Sequence, residues 1–152
     1  MLKGYQFSGI SSGIKKNGNK DLGLIFSERP ALAAAVFTTN QVKAAPVVLG
    51  MERMKGGACQ ALIVNSGNAN CCTGEKGFQD AILVSEYISD ILELGKSLVI
   101  PSSTGVIGAF LPMDKIRKRV PELCKSLASD GIENFAEAIL TTDLTPKIVS
   151  KT

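Results

Sequence analysis

Small hydroxyl and amide side chains are concentrated in three segments that each follow an apolar stretch. These segments are residues 65–77 (NSGNANCCTGEKG), 102–108 (SSTGVIG) and 141–147 (TTDLTPK). Such side chains bind small polar ligands, and they do so most often on loops held by a rigid scaffold. Two interpretations are open: three ordinary turns, or parts of one site whose N–H and O–H groups stabilise a developing negative charge.

The chain contains no histidine, which excludes Ser-His-Asp and Cys-His catalysis from its own residues. It also lacks the G-x-x-x-x-G-K-[ST] and G-x-G-x-x-G motifs of nucleotide-binding loops. A hydroxyl nucleophile can still act without histidine when it begins a chain, because its own α-amino group then serves as the base. This chain begins with Met1, so such a nucleophile would come from a second chain, and this one would supply oxyanion donors and part of a pocket.

Four cysteines are present, and none are paired in a CxxC motif: Cys59, Cys71, Cys72 and Cys124. This spacing does not predict a structural zinc site, and we expect no bound metal. We expect free thiols in a reducing, cytoplasmic setting. The N-terminus has no apolar signal-peptide region, and no apolar run reaches the roughly 20 residues that span a bilayer.

The formal net charge is +3, from 17 basic and 14 acidic residues spread along the chain. The densest basic run, residues 115–119, lies beside Asp114 and Glu122 without any aromatic side chain. This pattern favours a solvated helix face over a nucleic-acid site. The positive mean hydropathy of +0.18 indicates a surface that packs against a partner.

With 152 residues, of which 45% are apolar and 20% charged, the composition is that of one globular domain. Strands are predicted at residues 22–27 and 32–39, joined as a hairpin, and at 45–50, 60–67 and 97–100. An amphipathic helix is predicted after Thr73 and Gly74, with Gly95 as the residue that ends it. Further helices are predicted from 113, with Pro121 opening a new turn, and over 132–140. Strands and helices in this order indicate an α/β or α+β layer structure.

Five ordered blocks together closely resemble the N-terminal (α) portion of the ornithine acetyltransferase family: GIKKNGNKDLGLI, AAVFTTNQVKAAPV, IVNSGNANCCTGEKG, IPSSTGVIGAFLPMDKI and AILTTDLTPK. The resemblance extends over residues 4–147. It implies an α/β sandwich of layered sheets flanked by helices, which resembles the fold of N-terminal-nucleophile hydrolases. It also implies a precursor that cleaves itself before a Thr, so that residues 1–152 form one domain completed by a β chain.

The same resemblance implies an α2β2 heterotetramer of arginine biosynthesis. The β-chain Thr would take the acetyl group from N2-acetylornithine and pass it to glutamate in a ping-pong reaction. No cofactor is implied, although bifunctional members also accept acetyl-CoA as a co-substrate. Neither a nucleic acid nor a membrane is an expected partner.

Matched to the family motifs, Thr104 and Gly105 would form the oxyanion hole. The Thr-Thr-Asp motif matches Thr141, Thr142 and Asp143, and we expect Thr141 to contact substrate, with Thr142 as the second choice. Residues 65–70 would shape the site. Two other hypotheses are a self-cleaved amidohydrolase or aminopeptidase subunit, and a non-enzymatic module that binds a small anion.

Two features depart from the family pattern. Cys71 replaces a residue that is usually small, and we expect this substitution to be neutral. The sequence ends at Thr152, before the glycine-rich segment and the cleavage Thr of the family. We therefore expect the nucleophile to lie outside this sequence and the chain alone to be inactive.

Overall fold

The structure is a computed structural model that describes residues 2–149. Thr152, where the sequence ends, lies outside the described residues. The strands and helices, in chain order, are β1 (Tyr5–Ile10), β2 (Leu22–Leu32), α1 (Ala45–Arg53), β3 (Ala58–Asn68), α2 (Gly74–Leu92), β4 (Val99–Val106), α3 (Met113–Lys125) and α4 (Ile132–Ala138). This content confirms the predicted α+β class.

The four strands form one sheet in the order β1-β2-β3-β4. Strand β2 runs antiparallel to both β1 and β3, whereas β3 and β4 are parallel. Parallel neighbours need a crossover connection, which α2 provides. The crossover brings the ends of β3 and β4 to the same edge of the sheet, and two of the three polar segments begin at these ends.

Helices cover both faces of the sheet. On one face α2 and α3 pack over the strands in a core whose buried members are all aliphatic apart from Cys124. On the other face Phe135 of α4 packs against Phe7 and Val64. Each Å² of apolar surface removed from water stabilises the folded state by about 25 cal/mol. These two layers are therefore the main stabilising contribution to the free energy of folding.

Helix α4 approaches the sheet more closely than side chains normally allow. Gly9 and Gly23 are opposite each other in β1 and β2. A Cβ on Gly9 would lie 1.9 Å from the Asn134 carbonyl oxygen, and one on Gly23 would lie 2.9 Å from a ring carbon of Phe135. The two glycines therefore set the position of α4, which leads directly into residues 141–147.

The predicted hairpin over residues 22–39 is wrong. Strand β2 continues to Leu32, and residues 33–40 have no regular secondary structure. The register with β3 shifts between Phe26 and Ala31, so the chain forms an irregular bulge instead of turning back. Ala33 then donates a backbone hydrogen bond to Gly57, which keeps the chain beside β3.

The strand predicted at residues 45–50 is also wrong, because this segment forms α1. Its buried residues, Ala45, Pro46, Leu49 and Gly50, recur at helical spacing. Pro46 lies at the start of the helix, where a missing backbone N–H costs little.

Two helix predictions differ in detail. Helix α2 ends at Leu92, and Glu93, not Gly95, takes the left-handed conformation. Pro121 lies inside α3 instead of opening a new turn. An interior proline costs about 3 kcal/mol, and burial of Val120 and Leu123 on either side offsets that cost.

Candidate active site

Strand β4 extends through Val106, so residues 102–105 (SSTG) lie in a strand and do not form an ordinary turn. Likewise the first polar segment begins inside β3, which continues to Asn68. In the parallel register Thr104 pairs with Ser66 and Gly105 pairs with Gly67. The predicted oxyanion residues therefore lie where β3 and β4 end side by side, at residues 65–68 and 103–106 (the strand end). The NSGNAN segment, residues 65–70, is beside them.

The pairing of Gly67 with Gly105 requires glycine on both strands. Gly105 has a φ of +132°, and a Cβ there would lie 2.4 Å from the carbonyl carbon of Gly67. Gly67 has a φ of +97°. The regular register ends at this pair, since Asn68 pairs with both Thr104 and Val106. Where a ladder is interrupted, a backbone N–H can be directed at a ligand instead of the neighbouring strand.

Side chains of residues 65–68 are used to hold this strand end together. Asn65 accepts a hydrogen bond from the Ser103 hydroxyl (2.6 Å) and donates to the Asn68 carbonyl (2.8 Å). Asn68 donates in turn to the carbonyls of Ala109 and Phe110, at 3.1 and 3.0 Å. Because buried amides must find partners, these residues are structural supports. Ser103 is likewise a structural residue, since its hydroxyl donates to Asn65 from within β4.

Asn70 connects the end of β3 to the start of α2. It is fully buried with a φ of +46°. Its side chain donates to the Gly77 carbonyl (2.8 Å) and accepts from the Thr73 hydroxyl (2.8 Å). Its carbonyl accepts from the backbone N–H of Ala45, the first residue of α1. The Asn70 side chain thus holds the start of α2, and its backbone carbonyl holds the start of α1, so this one residue links two helices to the end of β3.

The third polar segment follows α4 and has no regular secondary structure between residues 141 and 149. Thr141 and Thr142 are both exposed. Thr141, but not Thr142, lines an open cavity of about 640 Å³. The remaining lining residues are Lys15, Asn17, Gly18, Asn19, Lys20, Glu137, Leu140, Asp143, Leu144 and Pro146. This geometry favours Thr141 over Thr142 as the ligand-facing residue.

Lys15 is a residue of this region that the sequence analysis missed. Its side chain lies against Gly67, and its ammonium group donates to the carbonyls of Lys20 (2.9 Å) and Leu140 (2.6 Å). Burial lowers the pKa of Lys15 below its usual value, and the nearby Asp21 carboxylate partly opposes that shift. In the sequence Lys15 is one of two adjacent lysines before an Asn-Gly turn, and nothing there distinguishes it from a solvated residue.

Asp21 fixes the backbone of the Lys15 loop. This buried carboxylate accepts hydrogen bonds from the Ser12 backbone N–H (2.6 Å), the Ser12 hydroxyl (2.7 Å) and the Lys15 backbone N–H (2.9 Å). Bonds to a charged acceptor are stronger than neutral ones, so the loop is held firmly on β2.

The adjacent cysteines lie next to the strand end. The sulfur atoms of Cys71 and Cys72 are 3.9 Å apart, and the Cys71 carbonyl accepts a hydrogen bond from the Gly108 N–H. Within residues 2–149, no three Asp, Glu, Cys or His side chains are grouped so that they could hold a metal ion. In the same part of the chain, no helix has the length and apolar character required to cross a bilayer.

Comparison with solved structures relates this arrangement to known proteins. The chain is similar to the crystal structure of the arginine biosynthesis bifunctional protein ArgJ from Bacillus halodurans, with a TM-score of 0.88 and 43% identity over 94% of this chain and 75% of that one. It is also similar to ornithine acetyltransferase from Mycobacterium tuberculosis, solved with ornithine, with a TM-score of 0.91 and 41% identity over 94% of this chain and 78% of that one. The fold is therefore that of the ArgJ structures, as the resemblance implied.

Sequence comparison with curated relatives identifies the same family as the solved structures. The arginine biosynthesis bifunctional protein ArgJ of Geobacter sulfurreducens is 48% identical over 99% of this chain and 38% of its own length. The corresponding protein of Caldanaerobacter subterraneus is 51% identical over 99% of this chain and 37% of its length. This chain thus spans somewhat more than a third of the relatives that it matches. The ArgJ family model matches residues 6–152, and the chain therefore belongs to the ArgJ family.

Proposed function

We propose that this chain is the α chain of an acetyltransferase that moves the acetyl group of N2-acetylornithine to glutamate in arginine biosynthesis. Thr104 and Gly105 form the oxyanion hole, and Thr141 contacts the substrate. The nucleophile is a Thr that begins a β chain, and the two chains assemble as α2β2. The observation that carries the proposal is the interrupted ladder at Gly67 and Gly105, where glycine alone fits on both strands.

The need for a second chain rests on two observations. The sequence has no histidine to activate a nucleophile, and it spans 38% of the length of a relative. Leu32, Val36 and Leu144 are 99, 99 and 97% exposed. The remaining part of the precursor would cover these side chains by packing against them.

The reaction follows from these groups. The hydroxyl oxygen of the β-chain Thr bonds to the acetyl carbon, and its α-amino group accepts the hydroxyl proton. The carbonyl oxygen becomes an oxyanion, which the donors at Thr104 and Gly105 stabilise. Collapse of the tetrahedral intermediate breaks the C–N bond, and the departing ornithine nitrogen takes the proton. The amino group of glutamate then attacks the acetyl ester by the same steps, which releases the Thr hydroxyl.

The test uses the full-length, self-cleaved protein. We expect Thr104→Ala to lower kcat for acetyl transfer about 100- to 1000-fold, the usual effect of losing one oxyanion donor. Thr104→Ser keeps the hydroxyl and should retain most of the activity. Mass spectrometry should detect an acetylated β chain after incubation with N2-acetylornithine alone. Unchanged activity in Thr104→Ala would contradict the assignment of this residue.

The same assay separates acetyl transfer from hydrolysis. A transferase requires glutamate for turnover, whereas an amidohydrolase or aminopeptidase would release acetate or an amino acid at the same rate without glutamate. Release that is independent of glutamate would overturn the proposed reaction. Use of acetyl-CoA in place of N2-acetylornithine would identify a bifunctional member.

A further inference from the structure

Lys15 connects the two halves of the proposed site. A Cβ on Gly67 would lie 3.2 Å from the Cγ atom of Lys15, so the lysine stem passes directly over the glycine that pairs with Gly105. At its other end the ammonium group donates to the Leu140 carbonyl at 2.6 Å. Leu140 immediately precedes Thr141. The lysine therefore spans from the strand end beside the oxyanion residues to the segment that carries the substrate threonine.

We infer that Lys15 is a positioning residue that holds the Thr141 segment in place relative to Thr104 and Gly105. This inference rests on the proposed function, because it assigns Lys15 a part in the same reaction. Lys15 itself is not required to touch the substrate.

The Thr141 segment has few other attachments. Residues 141–149 are exposed and irregular. Among the described residues, the hydrogen bond from Lys15 to Leu140 is the last one from a distant part of the chain before Thr141. After it, Lys147 pairs with Asp143 inside the segment itself. The placement of Thr141 therefore depends on the anchor at Leu140.

Hydrogen bonds hold Lys15 at both its backbone and its ammonium group. The Lys15 backbone N–H is bound by the buried Asp21 carboxylate, and its ammonium group bridges two carbonyls, those of Lys20 and Leu140. Because the donor is charged and half-buried, each bond is stronger than a neutral one. A neutral side chain of similar length would keep the packing on Gly67 but lose both bonds.

Lys115 provides a matched control. Its ammonium group donates to the Gly13 carbonyl at 2.7 Å, so it anchors the other side of the same loop by the same chemistry. Lys115 belongs to α3 and does not line the cavity that contains Thr141.

The experiment compares Lys15→Met, Lys15→Arg and Lys115→Met in the full-length, self-cleaved protein. For Lys15→Met we expect KM for N2-acetylornithine to rise about 10- to 100-fold, the factor equivalent to one hydrogen bond to a charged group, with a smaller change in kcat. Lys15→Arg retains the charge and should restore much of the affinity. Lys115→Met should change KM by less than about threefold. An unchanged KM in Lys15→Met, or an equal rise in Lys115→Met, would overturn the inference.

A second measurement does not depend on activity. Amide hydrogen exchange at Ile139 and Leu140, whose N–H groups donate to the Phe135 and Glu137 carbonyls, should become at least tenfold faster in Lys15→Met and stay unchanged in Lys115→Met. If the wild-type protein transfers no acetyl group but this difference appears, the proposed function fails while the anchoring role of Lys15 stands. Equal exchange in the two variants would contradict that role, whatever the wild-type activity.

Discussion

Gly67 and Gly105 are opposite each other in the parallel strands β3 and β4, and a Cβ on Gly105 would lie 2.4 Å from the carbonyl carbon of Gly67. Both have positive φ angles, +97° and +132°. Side chains avoid this part of backbone space, and contact below 3 Å requires the strands to separate. The pair therefore fixes the backbone next to Thr104 in one conformation.

Gly105→Ala tests this relationship. We expect kcat for acetyl transfer to fall by at least about 100-fold, because the strand must move away from Gly67 and the oxyanion donors move with it. Gly56→Ala is the matched control, since nothing lies within 4 Å of a Cβ at Gly56. Steady-state kinetics of the two variants make the comparison. Equal activity in both would show that this strand end does not take part in catalysis.

Asn70→Ala should lower the stability of the protein, although we do not predict that Asn70 contacts the substrate. The substitution leaves the buried Gly77 carbonyl and the Thr73 hydroxyl without their partner. It also places alanine at a positive φ, and we expect a total loss of about 3 kcal/mol in the free energy of unfolding. Denaturant unfolding of the full-length protein measures this loss. Gln79→Ala removes an exposed amide that bonds to Glu75 on α2 and should change stability by less than about 0.5 kcal/mol.

Gly9→Ala should displace α4. A Cβ at this position would lie 1.9 Å from the Asn134 carbonyl oxygen, which is backbone and cannot rotate away. We expect a loss of about 1–3 kcal/mol in the free energy of unfolding, together with faster hydrogen exchange in α4. Gly95→Ala should be tolerated, because a Cβ there would meet the flexible side chain of Leu98 at an ordinary 3.5 Å. Similar unfolding midpoints for the two variants would disprove the close approach of α4.

Cys124 should make the protein sensitive to alkaline pH. Burial raises the pKa of this thiol from 9.0 to about 11. The unfolded thiol ionises near pH 9, whereas the folded one stays protonated, so the unfolded state binds fewer protons between pH 9 and 11. Stability is therefore complete below pH 9 and falls by about 2–3 kcal/mol as the pH rises to 11.

The measurement for Cys124 is a series of unfolding curves between pH 8 and 11. Cys124→Ala removes the ionisable group, so its stability should fall less steeply over this range than that of the parent protein. Parallel curves for the two proteins would mean that the Cys124 thiol does not contribute to the alkaline transition.

The sequence determined the features that depend on local order. Helix α2 was predicted from a regular repeat of apolar residues, and β3 from an uninterrupted apolar run, because periodicity and β-branched composition act within one element. The absence of histidine and the five family blocks also predicted a nucleophile on a second chain, and this stays a prediction. The roles of Thr104, Gly105 and Thr141 stay predictions.

Only the tertiary structure decided how distant residues meet. The contact between Gly67 and Gly105, the approach of α4 over Gly9 and the bridge from Lys15 to Leu140 join residues that lie far apart in sequence. Local patterns contain no information about such pairs, because the residues next to a lysine in sequence do not tell whether its ammonium group is solvated or bound to a distant carbonyl. Burial and hydrogen bonding give Lys15 and the glycines their roles, and both arise when the sheet and its helices pack together.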